Sequence, residues 1–263
     1  MNTWNPDLYR RYEDERTRPA QELLARVPLD AVRCVVDLGC GPGNSTELLV
    51  HRYAQARVVG IDNDAAMISS ARQRLPGVEF LQADMAEVRQ WTQALGVAPD
   101  LIFANAALQW TGDHETLIPR LFDALAPGGV LAIQMPDNRD EPTHRLMRET
   151  AALQPWAPFM GDTRGYRTGI LSLGAYYDLL AREAAATDVW HTVYQHPMAS
   201  AAAIVEWVRA TGLKPFLARL PAEHQAGYLA AYEQGLAQAY RVHADGRRLL
   251  AFPRLFIVAR RTA

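Results

Sequence analysis

The sequence predicts an α/β fold: a doubly wound, mostly parallel sheet of seven strands, with a helical cap over its ligand edge. Three observations carry this. Apolar runs at 35–38, 57–62, 78–82, 99–104 and 130–135 alternate with stretches of helical spacing, the pattern of a parallel sheet joined by right-handed crossovers. The first run passes through Gly39, Gly41 and Gly43 before helical spacing resumes at Leu48 and Leu49, so Val35–Thr46 reads as strand, tight turn and helix. The regularity ends at Pro136, and the broken segments that follow read as insertions into the fold.

In order, residues 1–30 carry Trp4, Tyr9, Tyr12, Leu23, Leu24 and Val27 at helical spacing. They read as a helical arm packed on the main domain, able to fold over a ligand with Tyr12 and Arg18 as polar tips. The glycine turn comes next. Glycine adopts positive φ and lets a ligand approach the backbone, and the following helix presents free amides and the positive end of its dipole. Asp37, just before the turn, can face a cation held there.

The second strand, Arg57–Asp62, also ends in an acid. Asp62 lies where ligands bind in open α/β sheets and can accept hydrogen bonds from both ribose hydroxyls of a nucleoside. Asp64 then reads as the cap of a helix ended by Pro76-Gly77. A third strand, Val78–Gln82, is followed by Asp84. Two readings stand for it: acceptor for the exocyclic amine of an adenine, with Met85 as backbone partner, or cap of the helix over 87–95. A fourth strand, Pro99–Ala104, leads into Asn105–Trp110. A helix over 113–125 and the turn Pro127-Gly128-Gly129 precede the fifth, Val130–Met135.

Beyond Pro136, prolines at 142, 155 and 158 and glycines at 161 and 165 break the pattern. Helices are expected over 143–153, 172–183, 200–210 and 221–240. A sixth strand is expected over 188–196, with Val189, His191, Val193 and Gln195 on one face, and a seventh over 249–259. The chain thus reads as one domain, 1–263, with 1–30 as an N-terminal arm and 138–185 and 198–248 as cap insertions.

At 263 residues the chain can bury one sizeable core, and 49% hydrophobic with 21% charged residues belongs to a folded globular protein. A net charge of −2 offers no general attraction for nucleic acid or anionic lipid, so neither is an expected partner. No apolar stretch is long enough for a membrane span or a secretory leader, and two cysteines, Cys34 and Cys40, suit a reducing compartment. A cytoplasmic protein is expected. Lys214 is the only lysine. Arginine's planar fork suits bidentate carboxylate binding, a reading reserved for arginines near the site, with genome composition accounting for the bulk.

Taken together, Asp37, the alternating glycines, Asp62, Asp84 and Asn105 resemble the class I S-adenosylmethionine-dependent methyltransferases. The resemblance implies that the seventh strand is antiparallel. It also implies that Asp37, Gly39 and Gly41 hold the methionyl part of the donor and Asp62 the ribose, with Asn63 beside it in the same cofactor site. Asp84 and Met85 would hold the adenine, and Asn105 would supply a backbone carbonyl. A nicotinamide-binding Rossmann domain shares the turn and an acid near Asp62. Its fingerprint, however, needs glycine where this chain has Asn44, and a pyrophosphate gains nothing from Asp37.

A closer resemblance covers nearly the whole chain. Trp4-Asn5-Pro6, Arg18-Pro19, Ala106–Trp110, Met135–Asn138, Glu141–His144, Ala175–Asp178 and Ala251–Arg261 are similar to the trans-aconitate 2-methyltransferase family. This implies methyl esterification of a small tricarboxylic acid, giving a monomethyl ester and S-adenosylhomocysteine. A carboxylate with a pKa of about 4 is already ionised at neutral pH, so no catalytic base and no metal are expected. An enclosed polyanion must meet cations and donors. The candidates for that role are Tyr12, Arg18, Trp110, His144, Tyr176, Tyr177, His196 and Arg254. The alternative is a methyltransferase of another small acceptor, or a donor-binding protein without turnover.

Overall fold

The computed structural model describes residues 13–166, 169–209 and 211–263; the side chains of 13–16 and 164 are left aside. Helices are α1 Glu13–Ala25, α2 Asn44–Arg52, α3 Ala65–Arg74, α4 Val88–Leu95, α5 His114–Asp123, α6 Pro142–Ala151, α7 Ala157–Met160, α8 Leu173–Leu180, α9 Ala201–Arg209, α10 Lys214–Leu217 and α11 Ala222–Ala239. Strands are β1 Cys34–Leu38, β2 Arg57–Asp62, β3 Glu79–Gln82, β4 Leu101–Asn105, β5 Val130–Pro136, β6 Ala184–Met198 and β7 Arg248–Arg261.

The strands form one seven-stranded sheet in the order β3-β2-β1-β4-β5-β7-β6. β1 pairs in parallel with both β2 and β4, as Val35 meets Val58 on one side and Leu101 on the other. β2–β3 and β4–β5 are parallel as well. β7 runs antiparallel to β5: the Arg261 N–H donates to Gly129 O at 2.8 Å before β5, and the Asp137 N–H donates to Pro253 O at 2.9 Å after it. Six parallel strands and an antiparallel seventh agree with the expectation. The strand order reverses between β1 and β4, and the crevice at their carboxyl ends is the ligand edge of such a sheet.

By contacts the chain divides into two units. Among the described residues, the sheet unit comprises 13–136, 170–191 and 255–263. Its strands β1, β4 and β5 are buried almost throughout, as parallel strands covered on both faces must be. From α4, Val88, Trp91 and Leu95 close over the sheet, and from α5, Leu117, Ile118, Leu121 and Phe122. Full burial of each such side chain is worth about 1.5–3 kcal/mol. Arg26, just past α1, lies 5.4 Å from the Trp190 ring centre and 3.7 Å from the Asp188 carboxylate, and Trp190 stacks on Phe256 at 4.8 Å.

The second unit comprises 137–169 and 192–254. Here α6 packs on α11, and fully buried tyrosines tie the pair. Tyr228 donates to Met147 O at 2.9 Å and Tyr232 to Thr143 O at 3.0 Å, while the Tyr240 hydroxyl accepts the Thr143 N–H at 3.3 Å.

Three local readings are corrected. Asp84 does not cap α4: Glu87 is the N-cap residue, and Asp84 Oδ1 accepts the Ala86 N–H at 2.9 Å, closing a turn ahead of the helix. Pro142 and Pro158 do not merely break the chain. They sit in the first turn of α6 and of the short helix α7, where the missing N–H costs nothing. β6 is longer than expected, and its second half buries Tyr194, His196 and Met198, leaving Val193 52% exposed.

Candidate active site

The carboxyl ends of β1, β2, β3 and β4 bring the expected donor residues together through backbone hydrogen bonds. The N–H groups of Gly39 and Cys40 both donate to Ile61 O, at 2.7 and 3.0 Å, which folds the turn back onto β2. Asp62 Oδ2 accepts the Gly41 N–H at 2.9 Å and Oδ1 the Asp64 N–H at 2.9 Å. Each carboxylate oxygen thus keeps accepting capacity for a ribose hydroxyl. Asn63, exposed beside it, accepts Gln82 Nε2 on its carbonyl at 3.3 Å, and the Ala83 N–H reaches Asp62 O at 3.0 Å.

Two glycines show why this turn tolerates no side chain. Gly39 has φ +67°, and a Cβ there would lie 2.3 Å from Ala107 Cβ and 3.1 Å from Met85 Cε. The turn therefore touches both the loop after β4 and the candidate adenine residue. Gly41, at φ +54°, would point a Cβ into open space. The first glycine is required by packing and the second by backbone conformation, with free space left beside it for a ligand. Met85 is fixed further by its carbonyl, which accepts Trp91 Nε1–H at 3.2 Å.

Asp37 is fully buried. Its Oδ2 accepts the Ser45 hydroxyl at 2.8 Å and the Thr46 hydroxyl at 2.6 Å. Oδ1 has no hydrogen-bond partner among the described residues. Burial pushes the carboxyl up to about 7, opposed by the two hydroxyls and assisted by Asp62. A buried carboxylate oxygen beside a glycine turn fits a ligand ammonium, which would supply the missing partner.

At the end of β4, Asn105 Oδ1 is likewise buried without a hydrogen-bond partner among the described residues. Ala106 takes φ +52°, a conformation that costs a non-glycine residue about 1 kcal/mol or more. It is held there by its N–H on Gln134 O at 2.9 Å and by Gln109 Nε2 donating to its carbonyl at 2.6 Å. A 3-10 turn, Leu108–Trp110, follows. It is anchored by His114, whose Nε2 lies 2.8 Å from Leu108 O and whose Nδ1 lies 2.5 Å from the Tyr176 hydroxyl.

The expected acid-binding residues fall into two groups. In the sheet unit, Arg18 is exposed on α1 with Nε donating to Glu22 Oε1 at 2.8 Å, and Trp110 is 62% exposed. Tyr177 is exposed on α8, while Tyr176 is fully buried with its hydroxyl bonded to His114 and to the Leu171 N–H. In the second unit, His144 is buried on α6 with Nδ1 3.1 Å from Thr143 Oγ1. His196 on β6 and Arg254 on β7 are both buried. The His196 ring lies 4.9 Å from Trp207 and 5.9 Å from Phe252, and the Arg254 guanidinium sits 5.0 Å from the Phe252 ring. Tyr12 lies outside the described residues.

A family model described as a methyltransferase domain matches residues 35–129, from β1 to the turn before β5. The trans-aconitate 2-methyltransferase of Paracidovorax citrulli is 68% identical over 263 residues, covering all of both chains. The chain belongs to the trans-aconitate 2-methyltransferase family. Its relative of the same name in Methylobacterium radiotolerans is 60% identical over 265 residues, again covering all of both chains. Among solved structures, the YcgJ protein of Bacillus subtilis matches with TM-score 0.58 at 14% identity, covering 94% of this chain and 99% of the other. Phosphoethanolamine N-methyltransferase 2 of Haemonchus contortus, solved with S-adenosylhomocysteine, matches with TM-score 0.52 at 16% identity, covering 94% of this chain and 53% of that one. Both are likenesses of fold.

For a member of this family, the sequence reading left several residues without a role. Ser45 and Thr46, hydroxyl residues just past the glycine turn, are among them, and both bond Asp37. Gln109 and the positive φ of Ala106 carried no local signal. Phe252 stands two residues before Arg254, so the period of a strand puts both on one face. Trp207 could be linked to them only through the fold.

Proposed function

We propose that this protein transfers the methyl group of S-adenosylmethionine to a carboxylate of trans-aconitate, giving a monomethyl ester and S-adenosylhomocysteine. The observation that carries this reading is the 68% identity over the full chain, which includes the second unit as well as the methyltransferase-domain match. Donor residues are Asp37, Gly39 and Gly41 for the methionyl part, Asp62 and Asn63 for the ribose, Asp84 and Met85 for the adenine, and the Asn105 carbonyl. When bound, the donor supplies an electrophilic methyl group on a sulfonium.

A carboxylate oxygen of the acid forms the new C–O bond as the C–S bond breaks, and the bonding pair stays on sulfur. No proton moves, so no side chain needs to act as a base. What the chain supplies is position, worth on the order of 7–11 kcal/mol when reacting groups are well aligned. His196 and Arg254, buried beside Trp207 and Phe252, supply hydrogen-bond donors, and Arg254 also the charge, that a carboxylate requires. Tyr12, Arg18, Trp110, His144 and Tyr177 are the further candidates for contact with the acid, whereas the buried Tyr176 hydroxyl is taken by His114 and the Leu171 N–H. A cytoplasmic location suits two free, buried cysteines, and no described helix is long and apolar enough to cross a membrane.

The test is incubation with the donor and a panel of di- and tricarboxylic acids, followed by mass detection of methyl esters. Trans-aconitate should be esterified most rapidly. Methylation of a different metabolite with every acid left untouched, or donor binding with no turnover, would overturn the assignment.

A further inference from the structure

Asp37 is bonded unevenly. Two hydroxyls from the first turn of α2, Ser45 Oγ and Thr46 Oγ1, converge on Oδ2 at 2.8 and 2.6 Å, while Oδ1 has no hydrogen-bond partner among the described residues. Both hydroxyl residues are buried, so water does not readily substitute for either. A hydroxyl that donates to a carboxylate favours its charged form, and two on one oxygen also fix the plane of the group. The ionisable groups that act on Asp37 are the Asp62 carboxylate at the end of β2 and the Cys40 thiol in the turn. Burial raises the thiol far enough that it stays protonated. Neither is a cation.

We propose that Ser45 and Thr46 are positioning residues for donor binding: their paired hydroxyls hold Asp37 Oδ2 so that Oδ1 is the oxygen that meets the donor's methionyl ammonium. The inference rests on the reading that Asp37 holds the methionyl part of the donor. It makes donor binding proton-linked. In the free protein the Asp37 carboxyl is pushed up to about 7 by burial, so near neutral pH part of the population carries a proton that an ammonium must displace. Binding therefore releases a proton below pH about 7, and affinity falls toward tenfold per pH unit on the acid side. Above that pH the carboxylate is already formed and the dependence flattens. Without the two hydroxyls the ionised form is less favoured, so the midpoint moves to higher pH.

The experiment is calorimetry of S-adenosylhomocysteine binding between about pH 6 and 8.5, in two buffers of different ionisation enthalpy so that proton release is read directly. Wild type is compared with Ser45→Ala, Thr46→Val, Thr46→Ser and Asp37→Asn, each checked for a cooperative thermal transition. Ser45→Ala and Thr46→Val should each bind about tenfold more weakly at neutral pH, with the midpoint raised by about one unit. Thr46→Ser, which keeps the hydroxyl, should restore both values. Asp37→Asn should bind weakly with no proton release. Wild-type affinity and midpoint in Ser45→Ala and Thr46→Val, with Asp37→Asn impaired, would overturn the role of the hydroxyls alone. Wild-type affinity in Asp37→Asn would instead overturn the placement of the methionyl group. If Thr46→Val does not fold, the unshifted midpoint expected of Thr46→Ser against the raised one of Ser45→Ala decides the matter.

Discussion

In the sheet unit, the proposed donor contacts gather on one glycine turn and the strand ends beside it, where backbone hydrogen bonds hold the acidic side chains in place. Gly39, Gly41 and Asp62 lock one another through N–H groups on Ile61 O and on the Asp62 carboxylate. In the second unit, the proposed acid contacts are side chains from separate elements, His196 on β6, Trp207 on α9, and Phe252 and Arg254 on β7, joined by ring and cation contacts. A site built on one tightly folded turn accepts few substitutions but leaves a local pattern. A site made of converging side chains can be retuned residue by residue and leaves almost none.

The largest effect expected from breaking the sheet-unit side concerns Asp37. Its ordinary carboxyl value of 3.8 is raised to about 7 in the folded protein. A raised folded value means that the folded state holds its proton where the unfolded chain has lost it. That stabilisation is full below about 4 and is lost as pH rises through about 7. The shift of about three units corresponds to about 4 kcal/mol. Asp37→Asn, which carries no charge, should therefore unfold at a higher temperature than wild type above about pH 7 without donor, with the difference vanishing toward about pH 4. A variant equally destabilised at both ends would show that burial of the charge is not the cause.

Next comes Gly39→Ala. Its Cβ would meet Ala107 Cβ at 2.3 Å while the backbone holds φ +67°. A loss of about 3 kcal/mol in stability or donor affinity is expected, measured by denaturant titration and by calorimetry. Gly41→Ala, with open space around its Cβ, should cost only about 1 kcal/mol in stability while obstructing the donor.

The same contrast explains what was legible in the sequence. Alternating glycines and acids after apolar runs revealed the turn and three strand ends, because positive φ and the carboxyl edge of a parallel sheet both demand particular residue types. The antiparallel seventh strand came only through family resemblance, since the alternation in Leu249–Ala259 carries no direction. Asp84 was open to misreading because an acid that closes a turn two residues on looks, in sequence, like one that caps a helix. Tyr176 read as a candidate for the acid, but its hydroxyl serves His114 and Leu171, contacts between α5, α8 and the loop before it that no local spacing records. His196 and Arg254 were nameable as polar groups near strand ends, whereas Trp207 beside them emerged only from the fold.

The division between a donor site in the sheet and an acid site on converging side chains is tested most directly by one paired measurement. Donor dissociation constants and acid Michaelis constants would be determined for Asp62→Ala and Arg254→Ala, with trans-aconitate as acceptor. Asp62→Ala should weaken the donor by about 1.5–3 kcal/mol through loss of charge-assisted bonds and leave the acid constant nearly unchanged. Arg254→Ala should raise the acid constant about tenfold or more with the donor constant held. If Arg254→Ala weakens the donor while sparing the acid, or Asp62→Ala does the reverse, the proposed division of labour is wrong.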